Sequence, residues 1–223
     1  MIILNIKSIF KILLMIVLVF QISTTAQESE EHGSIDSKVE AFLKDHRNDW
    51  HDMNIPFQDG KFLHDLIIEN NYTRALEIGT STGHSAIWIA RALSKTGGKL
   101  ITIEINENRY QQAVENFKEA GVSEFIDARL ADAHLLVKEL DGPFDFVFSD
   151  ADKSWYRQYF IDVAPKITEG GCYVTHNATA RWWNSAEYID YLKSRDDFKT
   201  TVEKDQTSGI AISYKNQSKI NPK

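Results

Sequence analysis

The chain of 223 residues contains a single cysteine, Cys172, and has no cluster of lysine and arginine in its body. One cysteine excludes an internal disulfide, so the cysteine content does not indicate a compartment. The formal net charge is −7, whereas binding to a phosphate backbone requires concentrated positive charge. Nucleic acid is therefore not an expected partner, and a small molecule is favoured.

The longest unbroken apolar run, residues 12–20, is short for a membrane span. Lys7 and Lys11 precede this run, and residues 23–26 are small. A charged start, a short apolar centre and small residues before a cleavage point are typical of a secretory signal peptide. We therefore expect residues 1–26 to be removed on export, with an uncleaved N-terminal anchor as the alternative.

One domain is expected after this signal. Residues 27–34 are polar and are predicted to be a linker, and residues 35–223 suffice for one sizeable core without internal repeats. The mature protein is expected to be periplasmic or secreted, and a membrane-anchored or cytoplasmic protein is the alternative. No stable membrane span is expected after cleavage.

A strand, a tight loop and a helix are predicted over residues 75–93. The sequence Ala-Leu-Glu-Ile-Gly-Thr-Ser-Thr-Gly-His-Ser begins with an apolar run and continues into a turn bounded by Gly79 and Gly83. The following residues are helix formers without glycine or proline. This unit is typical of a nucleotide-binding α/β sheet, and its glycines allow a sharp turn close to a ligand.

The loop lacks the Gly-x-Gly-x-x-Gly spacing of dinucleotide-binding proteins, and Glu77 stands just before it. A carboxylate there would repel a pyrophosphate but suits a cationic or hydroxyl-rich ligand. The segment resembles motif I of the class I S-adenosylmethionine-dependent methyltransferases. His84 is expected to be an ordinary loop residue.

Apolar strand-like segments alternate with amphipathic helical segments along the rest of the chain. Strands are predicted at residues 75–78, 100–103, 125–130, 144–148, 172–175, 198–202 and 209–214. Helices are predicted at about 35–50, 57–70, 86–93, 109–120, 133–140, 155–167 and 185–194, with a turn at 169–171.

This alternation predicts an α/β, Rossmann-like doubly wound fold with helices on both faces of a mostly parallel, seven-stranded sheet. The last strand must be antiparallel, because the short connection before it cannot carry a parallel crossover.

A polar or acidic residue closes each of the predicted parallel strands. These residues are Glu77, Glu104, Asp132, Asp150 and the pair His176 and Asn177. The carboxyl ends of parallel strands share one edge, where ligands of such sheets bind. Glu104 is expected to accept hydrogen bonds from ribose hydroxyls. Asp132 either accepts from an adenine amino group or caps the following helix.

Two serines of the first loop are also candidates. Ser81 and Ser85 are placed to bind the carboxylate of the methionine portion, or Ser85 only satisfies the start of the helix. Trp155, Trp182 and Trp183 follow the fourth and fifth strands, and they either wall an aromatic acceptor or belong to the core.

Three segments together resemble the cation-dependent O-methyltransferases, a group that includes the caffeoyl-CoA and catechol enzymes and small bacterial relatives. They are residues 76–85, Ile-Thr-Ile-Glu-Ile at 101–105 and Phe-Asp-Phe-Val-Phe-Ser-Asp-Ala-Asp-Lys at 144–153. Asp-Ala-Asp-Lys is the discriminating part. The resemblance covers about residues 53–215 and implies S-adenosylmethionine as cosubstrate. It also implies which residues bind this molecule. They are Met53, Ile55, Glu77, Gly79, Ser81, Gly83, Ser85, Glu104, Ile105, Asp132, Ala133 and Asp150.

The same resemblance implies that Asp150 is a metal ligand and that Lys153 takes the hydroxyl proton. The family has Asp-Asn as its next two ligands, where this chain has His176 and Asn177. Oxygen ligands suit Mg²⁺ or Ca²⁺, and imidazole in place of a carboxylate favours Mn²⁺, Fe²⁺ or Zn²⁺. The prediction is a divalent metal at Asp150, His176 and Asn177. In the metal-free alternative, His176 hydrogen-bonds the substrate or is itself the base.

The predicted function is methyl transfer from S-adenosylmethionine to an oxygen of a small, phenolic or catechol-like acceptor, assisted by a divalent metal. One alternative is a metal-independent methyltransferase acting on another nucleophile. Another is an exported binding protein that keeps the fold without turnover. A homodimer is left open.

Overall fold

A computed structural model describes residues 33, 35–204 and 208–218. The predicted signal peptide and nearly all of the predicted linker lie outside the described residues. Within the described part of the chain, no helix combines the length and the apolar character that crossing a bilayer requires.

The predicted helices and strands occur in the predicted order. Helix α1 covers residues 35–45, shorter than predicted, and residues 46–49 form turns. The remaining elements are α2 (Phe57–Asn70), β1 (Arg74–Ile78), α3 (His84–Thr96), β2 (Lys99–Glu104), α4 (Glu107–Ala120), β3 (Ile126–Leu130), α5 (Ala133–Glu139), β4 (Phe144–Ser149), α6 (Tyr156–Val163), β5 (Ile167–His176), α7 (Ser185–Lys193), β6 (Phe198–Glu203) and β7 (Ile210–Lys215).

One seven-stranded sheet with the order β3-β2-β1-β4-β5-β7-β6 organises the domain. The strands from β3 to β5 pair in parallel, and β7 runs antiparallel to both β5 and β6. The predicted mostly parallel sheet with an antiparallel last strand is therefore confirmed. The parallel strands end at one edge, which is where ligands of such sheets bind.

Helices cover both faces of the sheet, which explains why the central strands β1 and β4 are buried along almost their whole length. On β4, Phe146 and Phe148 pack into the core beneath α1 to α4. Val147 points to the opposite face and packs with residues of α5 to α7. The alternation follows from the two-residue period of a strand, and it confirms the predicted helices on both faces.

The connection between α6 and β5 differs from the prediction. The helix ends at Val163, because Pro165 just beyond it cannot continue a regular helix. Strand β5 already begins at Ile167, and the predicted turn at residues 169–171 is an irregularity in its pairing with β4. A Cβ on Gly171 would lie 2.8 Å from a carbonyl oxygen of β4, so this strand position requires glycine.

Candidate active site

A cavity of about 710 Å³ opens at the carboxyl edge of the parallel strands. Its volume suits a ligand of drug or cofactor size. The predicted residues that line it are Met53, Gly79, Ser81, Glu104, Ile105, Asp132, Ala133, Asp150, Lys153, His176 and Asn177. Residues that sequence reasoning did not select also line it, among them Asn54, Arg109, His134, Asp152 and Tyr159.

Four predicted residues do not line the cavity: Ile55, Glu77, Gly83 and Ser85. Ile55 belongs to the core. A Cβ on Gly83 would come within 2.5 Å of the Phe117 ring, so this glycine is required by packing against α4 and by its φ of 98°. These residues lie behind the cavity wall in this structure, and their contacts with the cosubstrate stay predictions.

Glu77 is fully buried and ties β1 to β2. Its Oε2 accepts a hydrogen bond from the Thr102 hydroxyl, and the Ser85 hydroxyl also faces the carboxyl group. Burial raises the pKa of Glu77 to about 8. Glu77 does not line the cavity in this structure, and its contact with the cosubstrate stays a prediction.

The carboxylate of Glu104 is fixed at the cavity wall by two backbone donors. Oε2 accepts from the Ser81 N–H at 2.8 Å, and Oε1 accepts from the Asn106 N–H at 2.9 Å. Each carboxylate oxygen has a second acceptor site, so both oxygens can still receive ligand hydroxyls. Ser81 has a φ of 49°, and its own hydroxyl donates to the Asp52 carbonyl.

Asp132 takes the helix-capping role that the sequence left open. Its Oδ1 accepts from the His134 N–H at 2.9 Å at the start of α5. The contact with an adenine amino group stays a prediction. His134 itself stacks on Trp155, with ring centroids 3.9 Å apart.

A polar network surrounds Asp150 at the end of β4. Lys153 Nζ donates to Oδ1 at 2.6 Å, and the Tyr156 hydroxyl donates to the same oxygen at 3.2 Å. His176 Nδ1 lies 3.2 Å from Oδ2, although it is not aligned as a hydrogen bond. Burial opposes the charged carboxylate, but His176 and Lys153 outweigh it, and the pKa of Asp150 lies below its usual value.

Asp59, which the sequence reasoning missed, meets the other nitrogen of His176. It lies in the first turn of α2 and is fully buried, and its Oδ2 accepts from His176 Nε2 at 3.0 Å. Burial favours the neutral ring, but the two carboxylates outweigh it and raise the pKa of His176 to about 9. An acid in the first turn of a helix looks ordinary in a sequence, because it complements the helix dipole.

His84 is not the loop residue that was expected. It is the first residue of α3, is 1% exposed, and its Nδ1 lies 2.8 Å from the Ile55 carbonyl. Its Nε2 accepts from the Trp88 indole N–H at 3.2 Å, so the neutral ring bridges a donor and an acceptor. Burial lowers the pKa of His84 to about 4.

A family model described as O-methyltransferase matches residues 25–193 of the chain. The chain belongs to this family. The predicted resemblance is thereby confirmed at the level of the family, and the cavity occupies the sheet edge at which α/β folds of this kind bind their ligands.

Individual O-methyltransferases match parts of the chain. Catechol O-methyltransferase of Niastella koreensis is 42% identical over 105 residues, 45% of this chain and 47% of that protein, about half of its length. Flavonoid 3',5'-methyltransferase of Vitis vinifera is 30% identical over 167 residues, 72% of this chain and 69% of that protein. The O-methyltransferase TomG of Streptomyces achromogenes, solved in complex with S-adenosylmethionine, is 27% identical with a TM-score of 0.66, covering 81% of this chain and 90% of that chain.

The predicted metal ligands Asp150, His176 and Asn177 line one cavity of this O-methyltransferase, and two of them are engaged with other side chains. Among the described residues, no three His, Cys, Asp or Glu side chains are grouped to hold a metal ion. His176 Nε2 is hydrogen-bonded to Asp59, and Nδ1 lies 3.2 Å from Asp150 Oδ2 without hydrogen-bond alignment. One oxygen of Asp150 is occupied by Lys153. Asn177 lines the cavity in a left-handed conformation with φ of 59°.

The three tryptophans have different positions. Trp182 lines the cavity and is 69% exposed, so it is available to a ligand. Trp183 packs edge-on against Tyr156 at 5.1 Å and donates to the Asn177 carbonyl at 3.0 Å. Of these tryptophans, only Trp182 lines the cavity directly.

Proposed function

We propose that the protein transfers a methyl group from S-adenosylmethionine to an oxygen of a small phenolic acceptor. The observation that carries the proposal is one cavity lined by two chemically different groups. Glu104, oriented by two backbone N–H groups, closes β2 on one side of β1, and the Asp150–Lys153 pair follows β4 on the other side. The catechol and flavonoid methyltransferases among the relatives support a phenolic acceptor.

The cosubstrate binds along the ends of β1, β2 and β3. Glu104 accepts the ribose hydroxyls, because its two oxygens are already aimed by Ser81 and Asn106. Met53, Ile105 and Ala133 also line the cavity, and we propose that they cover the apolar faces of the adenosine portion. The solved complex of TomG with S-adenosylmethionine supports this choice of ligand.

The acceptor binds beside Asp150, Lys153 and Trp182. Methyl transfer is an in-line displacement: an O–CH₃ bond forms, the S–CH₃ bond breaks and S-adenosylhomocysteine leaves, so holding oxygen against methyl supplies much of the rate. Lys153, which is paired with Asp150 in the resting site, first releases a proton to solvent and then accepts the proton of the acceptor hydroxyl. The ammonium that results is stabilised by Asp150, whose Oδ1 lies 2.6 Å from Nζ.

Isothermal titration calorimetry with S-adenosylmethionine, S-adenosylhomocysteine and NAD tests the proposal. We expect one site for each of the first two compounds and no binding of NAD. Binding without turnover on any phenolic acceptor would favour the exported binding protein, and NAD binding alone would favour an oxidoreductase.

We further propose that the chain is exported, on the strength of its charged start and short apolar segment. Cell fractionation followed by N-terminal sequencing of the mature protein tests this. Gln27 as the first residue of an exported protein is expected, and an intact Met1 in the cytoplasmic fraction would contradict export.

A further inference from the structure

His176 and Asp59 form a buried ion pair directly beside the reacting end of the cavity. Their side chains are 7% and 0% exposed, and Asp150 on the other side of the ring is 10% exposed. The ring thus lies between two carboxylates that are almost completely removed from water. His176 still lines the cavity, so its charge acts on whatever binds there.

The number of N–H donors on the His176 ring indicates which protonation form suits its two carboxylate neighbours. A neutral imidazole has one N–H and one lone pair, so it would turn that lone pair towards one of the two carboxylates. A buried carboxylate without a counter-charge is strongly unfavourable. Among the described residues, His176 is the only basic side chain in an ion pair with Asp59. An imidazolium places a positive charge between the two acids, hydrogen-bonded to Asp59 and 3.2 Å from Asp150 Oδ2.

The charges of the cluster then cancel. Lys153 and His176 contribute two positive charges, and Asp59 and Asp150 contribute two negative charges. With an aspartate at position 176, the same cluster would carry three carboxylates and one lysine, a net charge of −2. A divalent cation would neutralise that arrangement, whereas the present one needs no added charge.

We propose that the His176–Asp59 pair replaces a divalent metal ion at this site, so that methyl transfer proceeds without metal. This inference rests on the proposed methyltransferase function. His176 supplies a fixed positive charge that stabilises the developing phenolate. Asp59 is a positioning residue that holds the ring against Asp150.

Direct cation binding tests this without requiring activity. Calorimetry with Mg²⁺, Ca²⁺, Mn²⁺ and Zn²⁺ is expected to show no site in the natural protein with a dissociation constant of about 1 mM or tighter. His176→Asp is expected to gain a site for Mn²⁺ or Mg²⁺, and His176→Asn, which removes the ring without adding a carboxylate, is not. A cation site in the natural protein that is lost in His176→Asn would overturn the proposal.

Nitrogen-15 NMR of histidine-labelled protein gives a second readout, with the His176 signals assigned by their loss in His176→Asn. Two protonated ring nitrogens at pH 7 are expected, and the signature of a neutral ring would contradict the proposal. Asp59→Asn is expected to lower kcat about tenfold or more and to leave the KM for S-adenosylmethionine unchanged. A purely structural role would instead lower stability and leave kcat intact.

The two proposals fail in different ways. If S-adenosylhomocysteine does not bind, the proposed function is wrong. The cation titration of His176→Asp does not depend on that result and still tests whether the histidine replaces a metal ion. If S-adenosylhomocysteine binds and turnover is abolished by a chelator and restored by one metal, the function stands and the metal-free site is wrong.

Discussion

At the scale of single residues, Lys153 is the side chain on which the acceptor chemistry depends. Lys153→Met keeps the apolar stem but removes the amine that accepts the proton. We expect kcat to fall by about 10²- to 10⁴-fold, the usual contribution of a general base. Steady-state kinetics with catechol measures this, and calorimetry with S-adenosylhomocysteine should show unchanged affinity. Lys138→Met is the matched control, and an unchanged kcat in Lys153→Met would contradict the assignment.

Glu104 governs the affinity for the cosubstrate in the same account. Glu104→Gln replaces a carboxylate oxygen by an NH₂ group that faces the N–H of Ser81 or Asn106. Hydrogen bonds to a charged group contribute about 1.5–3 kcal/mol, so affinity for S-adenosylhomocysteine should fall about ten- to a hundredfold. Glu107→Gln alters an exposed acid at the start of α4 and should bind normally. Equal affinity in the two variants would exclude Glu104 from the binding site.

The neutral ring of His84 predicts a pH dependence of stability. Its pKa is about 4 in the folded protein and 6.5 for an unperturbed histidine, so between these values the unfolded chain binds more protons. The free energy of unfolding therefore falls as the pH drops from 6.5 to 4, by up to about 3 kcal/mol. Urea titrations at both ends of this range measure it. His84→Asn keeps a donor towards Ile55 and should lose this part of the dependence; an identical pH profile would contradict the prediction.

At the scale of elements, α2 and α3 depend on a close contact at Gly60. A Cβ there would lie 2.1 Å from the Trp88 ring. Gly→Ala within a helix normally gains about 1 kcal/mol, but overpacking costs about 1–3 kcal/mol, so Gly60→Ala should destabilise the protein. Denaturant unfolding checks the sign. The cost should shrink in a Trp88→Phe background, and purely additive effects would show that the contact is unimportant.

The sequence predicts these elements well where periodicity decides. Helix α2 occupies the predicted residues and ends at Asn70, and its C-cap Asn71 has the left-handed conformation common at helix ends, with φ of 53°. The predicted start of β5 is wrong because Glu169-Gly170-Gly171 has the composition of a turn, although tertiary pairing with β4 draws it into the strand. Short-range patterns do not contain that pairing.

For the candidate site, too, the sequence predicts some features and not others. The edge on which strand-end acids gather follows from the parallel sheet, and Glu104 and Asp150 accordingly line one cavity. Glu77 also ends a strand, but its side chain is directed into the core and does not line the cavity. Nothing in a local pattern indicates which acid points which way, because burial depends on the neighbouring helices.

At the scale of the whole molecule, the fold brings together charges that are distant in the chain. Asp59 and His176 are separated by 117 positions and meet only because α2 packs close to the end of β5. The histidine in place of an expected aspartate is visible in the sequence, but its partner is not. In the folded protein, the histidine that departs from the family pattern therefore lies in a cluster whose positive and negative charges balance.

The central claim is that the protein transfers the methyl group of S-adenosylmethionine to an acceptor oxygen in this cavity. Its most direct test is incubation of the purified protein with catechol and methyl-labelled S-adenosylmethionine. The account predicts that label appears in the monomethyl ether in an amount equal to the S-adenosylhomocysteine formed, and that Lys153→Met nearly abolishes it. No labelled ether with a panel of phenols, in a protein that binds S-adenosylhomocysteine, would contradict the account.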